Sequence, residues 1–290
     1  MSNDWIYLSA SQIKGMATCP RKQYYKRVLK WDEGSHFNFI IGSTNHSIGE
    51  ESQRLKCLGL PPYKKSKAKE RAVFWFNYHL AKYSEKGEIR LDANEKEFEW
   101  DDLLEKYIAD CKEYAWIYVD QILPKMEPMR DEENGKPMIE YPFELNYIFN
   151  DGLKVKVIGF IDTIDIKEIV VDLKNVGKKP STTEVRESDQ YKIYAIWFKH
   201  KFGRFPTIRQ DTIVKVKNPY YAPVDGFICE EDEVILKRRV HTFAQQKIRG
   251  VIHPSGMTYM CNERMCAFYP TKESVKKQQF CDHHYAKTNI

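Results

Sequence analysis

The chain is 290 residues long, with 42% hydrophobic, 30% charged and 13% aromatic residues, a globular composition that excludes a disordered, collagen-like or coiled-coil chain. Lysine and arginine number 46 against 41 acids, a net charge of +5, which permits a nucleic-acid partner without requiring one. No apolar run approaches the roughly 18 residues of a membrane span, and Met1–Trp5 lacks the basic start of a secretory signal, so a soluble, cytoplasmic (intracellular) protein is expected.

In chain order, the first half reads as helical. Ser9 and Gln12 have the form of a capping box, predicting a helix that ends near Cys19, since the residue before a proline avoids helical geometry. Pro20 then opens a second helix through Tyr24 and Tyr25. Helical spacing recurs over 41–58, 67–83 and 98–123, and 126–137 reads as a loop. The pattern then changes to β-branched and aromatic runs over 141–149, 153–166 and 168–174, with Asn150-Asp151-Gly152 as a hairpin signal. A long helix over 183–201, a strand over 208–217 and a charged helix over 230–249 follow. The order predicts one elaborated α/β domain: a helical part over 1–138, a mixed-sheet core over 139–218, and a helix with a cysteine-bearing tail over 219–290.

The mild net charge hides segregation. From Gln12 to Lys30 there are Lys14, Arg21, Lys22, Lys26, Arg27 and Lys30 and no acid. Residues 97–140 hold 13 acids against 5 bases, and residues 178–217 hold 10 bases against 4 acids. Such blocks suggest a face that attracts phosphate, although solvated helix faces produce them too.

Asp172 and Lys174 lie two apart on the run 168–174, so both project to one face while Val171 and Leu173 project to the other. A turn near residue 167 places Asp162 nearly opposite Asp172. Two converging carboxylates repel unless a proton or cation holds them, and a hard cation such as Mg²⁺ or Mn²⁺ suits such oxygens. An isolated Asp-x-Lys is common by accident and usually marks a simple ion pair.

Taken with its surroundings, the pattern resembles the PD-(D/E)XK nuclease superfamily, and within it the RecB-like exonucleases, among them CRISPR-associated and phage enzymes. The residues that carry the resemblance are His46 on an early helix, Gly159 to Asp162, Asp172-Leu173-Lys174, and Gln190 with Tyr194 on the following helix. The resemblance implies a restriction-endonuclease-like mixed sheet flanked by helices. It also implies a metal-dependent deoxyribonuclease in which His46, Asp162 and Asp172 ligate Mg²⁺ or Mn²⁺. Lys174 would orient or deprotonate water and stabilise phosphate charge, and Gln190 and Tyr194 would position the substrate or the lysine. Glu144 is an additional acid candidate, about as readily a solvent-facing strand residue. DNA, as single strands or duplex ends, would be the substrate, with Arg21, Lys22, Tyr24, Tyr25, Lys26, Lys178 and Lys179 contacting phosphates or stacking bases. A helicase, recombinase or CRISPR-adaptation partner fits that branch. A non-catalytic DNA-binding adaptor and a restriction-type endonuclease stay open as alternatives.

Seven cysteines, an odd number, argue against a complete disulfide framework. Cys57, Cys111 and Cys229 read as small packing residues, and His36, His79, His200, His241 and His253 as surface or capping residues. Cys19 before Pro20, with Cys261, Cys266 and Cys281 near the other end, resembles the iron–sulfur (4Fe-4S) staple of RecB-like exonucleases. The gap before Cys281 is longer than that family's. Zinc on Cys261, Cys266, Cys281 and His284 is the alternative, and ordinary thiols are a third.

Overall fold

The computed structural model of the chain describes residues 5–31, 34–85, 87, 89–91, 95–250, 261, 266–271 and 275–281. Strand β1 (Ile6–Ser9) runs into helix α1 (Ala10–Thr18), which Ser9 caps with the complete box predicted from sequence: its hydroxyl accepts from the Gln12 amide while Gln12 accepts from the Ser9 amide. Cys19 ends α1 in an extended conformation, and Pro20 opens α2 (Pro20–Arg27). Strand β2 (Ser35–His36) precedes α3 (Phe37–Cys57), followed by α4 (Lys65–Ser84), β3 (Ile89–Arg90) and α5 (Trp100–Ile117). One π-helical turn (Tyr118–Ile122) and one 3-10 turn (Leu123–Lys125) extend α5. The second half comprises β4 (Ile139–Ile148), β5 (Lys154–Asp165), β6 (Ile169–Val176), α6 (Thr182–Arg186), α7 (Asp189–Phe202), β7 (Thr207–Val214), β8 (Tyr220–Tyr221), β9 (Val224–Phe227) and α8 (Glu230–Arg249).

Among the described residues, seven strands form one mixed sheet. β4 pairs antiparallel along almost the whole of β5, as the Asn150-Asp151-Gly152 turn requires. The other edge of β5 is shared. β1 takes its first half in parallel, from Ile6↔Val155 to Ser9↔Ile158, and β6 takes its end antiparallel, from Thr163↔Val171 to Asp165↔Ile169. The stretch between, Gly159 to Asp162, is a fork with no strand partner on that side among the described residues. β7 then continues the sheet parallel to β6.

Apolar side chains fill both faces. Leu8, Ile13, Phe143, Val157, Val170, Ile193, Phe198 and Val240 join the sheet to α1, α7 and α8. Phe37, Ile41, Phe76, Leu103, Tyr114, Val171, Leu173 and Ile213 join the opposite face to α3, α4 and α5. The sheet is thus a middle layer between two helical ones, the mixed α/β architecture expected from sequence. No described helix is long and apolar enough to cross a membrane.

Three local expectations are corrected. The four-residue β1 escaped prediction because so short a run carries no periodicity, and only its distant partner β5 makes it a strand. The helix expected over 183–201 is two helices: Ser181 and Glu184 form a capping box on α6, and Ser188 turns extended to begin α7. His79 is no surface residue. It is 8% exposed, bonds Ser47 at 2.9 Å, and burial lowers its imidazole to about 4.

Candidate active site

The fork in the sheet gathers the titratable groups. Backbone pairing between β5 and β6 stops at Thr163↔Val171, and the next amide, that of Leu173, donates to the Asp162 carboxylate at 2.9 Å. That bond turns the Asp162 side chain into the gap. From α3, His46 brings Nδ1 to 3.2 Å from Asp162 Oδ2. Glu140 lies 4.0 Å from the same imidazole nitrogen. One ligand atom from each of His46, Glu140 and Asp162 lies within 4.8 Å of the others.

This helix is held in register by a buried relay: Thr163 donates to Gln53 at 2.8 Å, and Gln53 donates to the Tyr118 hydroxyl at 2.7 Å. Gly49 stands against the Tyr118 ring, where a β-carbon would lie 3.2 Å from it.

The carboxylates are electrostatically frustrated. Burial, then Asp162, raises Glu140 to about 7, against the pull of His46. Burial likewise raises Asp162, with His46 opposing and Asp172 reinforcing the shift. Two oxygen donors with raised proton affinity beside an imidazole are a donor set that a hard divalent cation fits, because the cation neutralises the repulsion that otherwise favours protons.

Across the fork, Asp172 is fully buried and Lys174 reaches both of its oxygens, at 2.9 and 2.8 Å. Val171 and Leu173 pack into the opposite core, so the strand alternates as its sequence predicts. Burial disfavours the Lys174 charge, but Asp172 and then Asp162 more than offset it, and the ammonium is held above the ordinary lysine range. From α7, Gln190 donates to Asp172 at 3.1 Å and to the Tyr194 hydroxyl at 2.7 Å. Tyr191, one residue beyond Gln190, places its hydroxyl 2.8 Å from the other Asp172 oxygen and 2.8 Å from Gln210.

Behind this network, Phe143 packs edge-on to Tyr194 at 5.6 Å and against Gly159, where a β-carbon would fall 2.7 Å from the Phe143 ring. Gly159 is therefore required by close approach, not by a turn.

The sequence model of the PD-(D/E)XK nuclease superfamily matches residues 7–268. The chain belongs to this superfamily. Two solved structures resemble it at low identity: one of a Eubacterium rectale protein described as "Putative exonuclease" (15% identity, TM-score 0.49, 92% of this chain and 89% of that one), and one of SSO0001 (10% identity, TM-score 0.41, 93% and 88%). No curated protein matches the chain.

In the PD-(D/E)XK chain, sequence reasoning thus names His46, Asp162, Asp172, Lys174, Gln190 and Tyr194, and the fold brings all six to one fork. Asp172 differs in setting from the other acids, since both of its oxygens are already engaged by Lys174, Gln190 and Tyr191. Glu144 stands apart: it is exposed and pairs with Lys156 at 2.8 Å. Its place beside Asp162 belongs to Glu140, one residue before the run 141–149 that reads as a strand. From α1, Lys14 bears on the same network: partial burial of its ammonium, then Lys174, lowers its pKa against the pull of Asp172.

The remaining expectations fall elsewhere. Lys178 and Lys179 are exposed on the loop after β6. Arg21, Lys22, Tyr24 and Lys26 lie on α2, which packs on α1. Tyr25 is buried, stacked on Trp31 at 4.5 Å and against Phe268 at 5.4 Å, and so has no free face for a base. That aromatic cluster brings the tail to α2. Cys266 has its pKa raised by burial, and Cys19 and Cys281 are close enough to contribute to the shift. The Cys281 amide donates to the Phe268 carbonyl at 2.6 Å. His253 and His284 lie outside the described residues. His200 pairs with Glu233 and His241 with Asp151, both at the surface.

Proposed function

We propose that the protein is a divalent-metal-dependent DNA exonuclease acting on single strands or duplex ends. The observation that carries this reading is the convergence, within one break of the sheet, of His46, Glu140 and Asp162 on one side and the Asp172–Lys174 pair on the other. Glu140, Asp162 and His46 would hold Mg²⁺ or Mn²⁺, with Asp172 at its border. The cation supplies Lewis-acid charge where the phosphodiester gains negative charge. Lys174 adds a second positive charge at that place. Its raised pKa favours orienting water and stabilising phosphate over removing a proton. Gln190 and Tyr191 hold Asp172, and through it Lys174, in a single rotamer. A helicase, recombinase or CRISPR-adaptation complex would supply the DNA end.

The test is digestion of end-labelled single-stranded, duplex and circular DNA with Mg²⁺ or Mn²⁺. Release of mononucleotides or short products from ends, with covalently closed circles spared, is expected. Nicking of closed circles would make the protein an endonuclease, and inertness on every DNA would favour the adaptor reading.

The cysteines belong to the same reading. Cys266, near enough to Cys19 and to Cys281 for each thiol to bear on its pKa, with Cys261 in the same tail, supports an iron–sulfur cluster that staples the two ends of the chain. Protein purified without oxygen should be brown, with iron and acid-labile sulfide in near-equal amounts, and Cys19→Ala should lose colour. Colourless protein containing zinc, sensitive to His284→Ala, would replace the iron–sulfur assignment.

A further inference from the structure

Beyond the fork, β1 and the first part of β5 carry an exposed face on the side away from the core shared with α1, α7 and α8. Leu8, Val155 and Val157 point into the core, so their neighbours Tyr7, Lys156, Ile158 and Phe160 point outward together. Phe160 is 60% exposed, Ile158 36% and Tyr7 52%. The register makes these one strip: Tyr7 lies beside Lys156, and Ile158 and Phe160 follow along the same strand face. β4 extends the strip, with exposed Pro142 opposite Phe160. Trp5 adds a further ring, with the Lys156 ammonium 5.1 Å from its centre. Isolated surface aromatics need no explanation, but a contiguous row beside a cluster of titratable groups does.

We propose that this face is a stacking platform for single-stranded nucleic acid, guiding the strand into the fork with Phe160 under the base next to the scissile phosphate. The inference rests on the reading of the fork as a phosphodiester-cleaving site. Two features favour this occupant over a protein. The strip is continuous with the fork, since Phe160 lies two residues before Asp162. Its apolar rings flank Lys156, which lies over the Trp5 ring and shares its charge with Glu144 at 2.8 Å, and the strip ends at the fork where Lys174 stands, an arrangement that suits flat apolar bases leading an anionic backbone to that site. A duplex keeps its bases stacked inside and cannot lay them on a sheet face, so the platform selects single strands or frayed ends. It reads no sequence, because every base offers a π-face.

The experiment is fluorescence anisotropy of a labelled oligothymidylate and of a blunt, capped hairpin duplex, both in EDTA so that binding is read without cleavage. Phe160→Ala and Tyr7→Ala should each weaken single-strand affinity by about tenfold, the worth of one stacked base, and leave the duplex unchanged. Phe160→Tyr should retain affinity, whereas Phe160→Leu, apolar but without a ring, should lose it. An unchanged single-strand affinity in a variant with native melting temperature overturns the proposal, as does an equal loss on both DNAs. A change in oligomeric mass on Phe160→Ala with DNA affinity intact also overturns it, assigning the face to a second copy. The two readings separate cleanly: Phe160-dependent binding without cleavage under any metal would remove the nuclease assignment alone, and normal cleavage with Phe160-independent binding would remove the platform alone.

Discussion

Glu140 faces Asp162 across the β4–β5 hairpin, and it does so with a left-handed backbone, φ 47°. The ladder registers Ile139↔Thr163 and Tyr141↔Ile161 but skips the pair between them, because that backbone conformation breaks regular pairing. For a residue with a β-carbon this conformation costs roughly 1–2 kcal/mol, a cost that recurs at functional positions.

Replacing this residue should therefore separate stability from metal binding. Glu140→Gly relieves the backbone and removes a half-buried carboxylate, so its melting temperature should equal or exceed that of the wild type. Both Glu140→Gly and Glu140→Gln should weaken Mn²⁺ binding by on the order of tenfold or more, read by calorimetry or by water-proton relaxation. Wild-type Mn²⁺ affinity in Glu140→Gln would remove it from the donor set.

Asp172 and Lys174 should part company in the same assays. Each alanine variant should lower cleavage by on the order of 100-fold or more. Lys174→Ala should nonetheless bind Mn²⁺ nearly normally, whereas Asp172→Ala should bind it less well. Asp172→Ala also leaves the half-buried lysine ammonium without its direct partner, so it should cost more stability than Lys174→Asn. Full cleavage by either alanine variant, in a preparation free of other nucleases, would sink the assignment.

Gly159→Ala tests the close approach behind the site. Its β-carbon would meet the Phe143 ring at 2.7 Å, and Phe143 in turn packs on Tyr194. Overpacking of this kind costs about 1–3 kcal/mol, and the displaced strand carries Asp162. A drop in both melting temperature and cleavage is expected, with partial recovery in Gly159→Ala/Phe143→Leu. Unaltered stability would show that the ring yields freely.

The helical layer should respond to acid through His79. Burial lowers its folded-state pKa to about 4 from an ordinary value of 6.5. In the unfolded chain it takes a proton near 6.5, but in the folded chain it does not until about 4. Stability should thus fall as pH drops from about 6.5 towards 4. His79→Gln should flatten that part of the profile, measured by urea unfolding at stepped pH, and an identical slope in the variant would locate the acid sensitivity elsewhere.

Much of the site is legible in the sequence because it uses local rules. The alternation Val171-Asp172-Leu173-Lys174 sets one face against the other, and the i, i+4 pair Gln190 and Tyr194 shares a helix face. Glu140 was within reach of the same arithmetic: a hairpin centred on Asp151 sets residue 140 opposite residue 162. Strand propensity hid it, since Glu140 lies one residue outside the run that reads as β, and its left-handed backbone belongs to no strand template. Tyr191 was hidden differently, for a buried hydroxyl bonding a carboxylate reads as core. His79 and Tyr25 reversed the usual prior for polar aromatics, because only tertiary packing, of α4 on α3 and of the tail on α2, encloses them.

The split edge of β5 also sets a timetable for folding. Ile6 meets Val155, so the first strand docks on a partner about 150 residues later in the chain. During synthesis β1 has no ladder to join until the β4–β5 hairpin exists, and α1, capped directly from Ser9, must wait with it. The helical layer of α3, α4 and α5 is complete before that hairpin is made, whereas the upstream border of the fork is not. Assembly of the fork is thus a late, non-local event: a nascent chain arrested before β5 carries the helical segments and no fork.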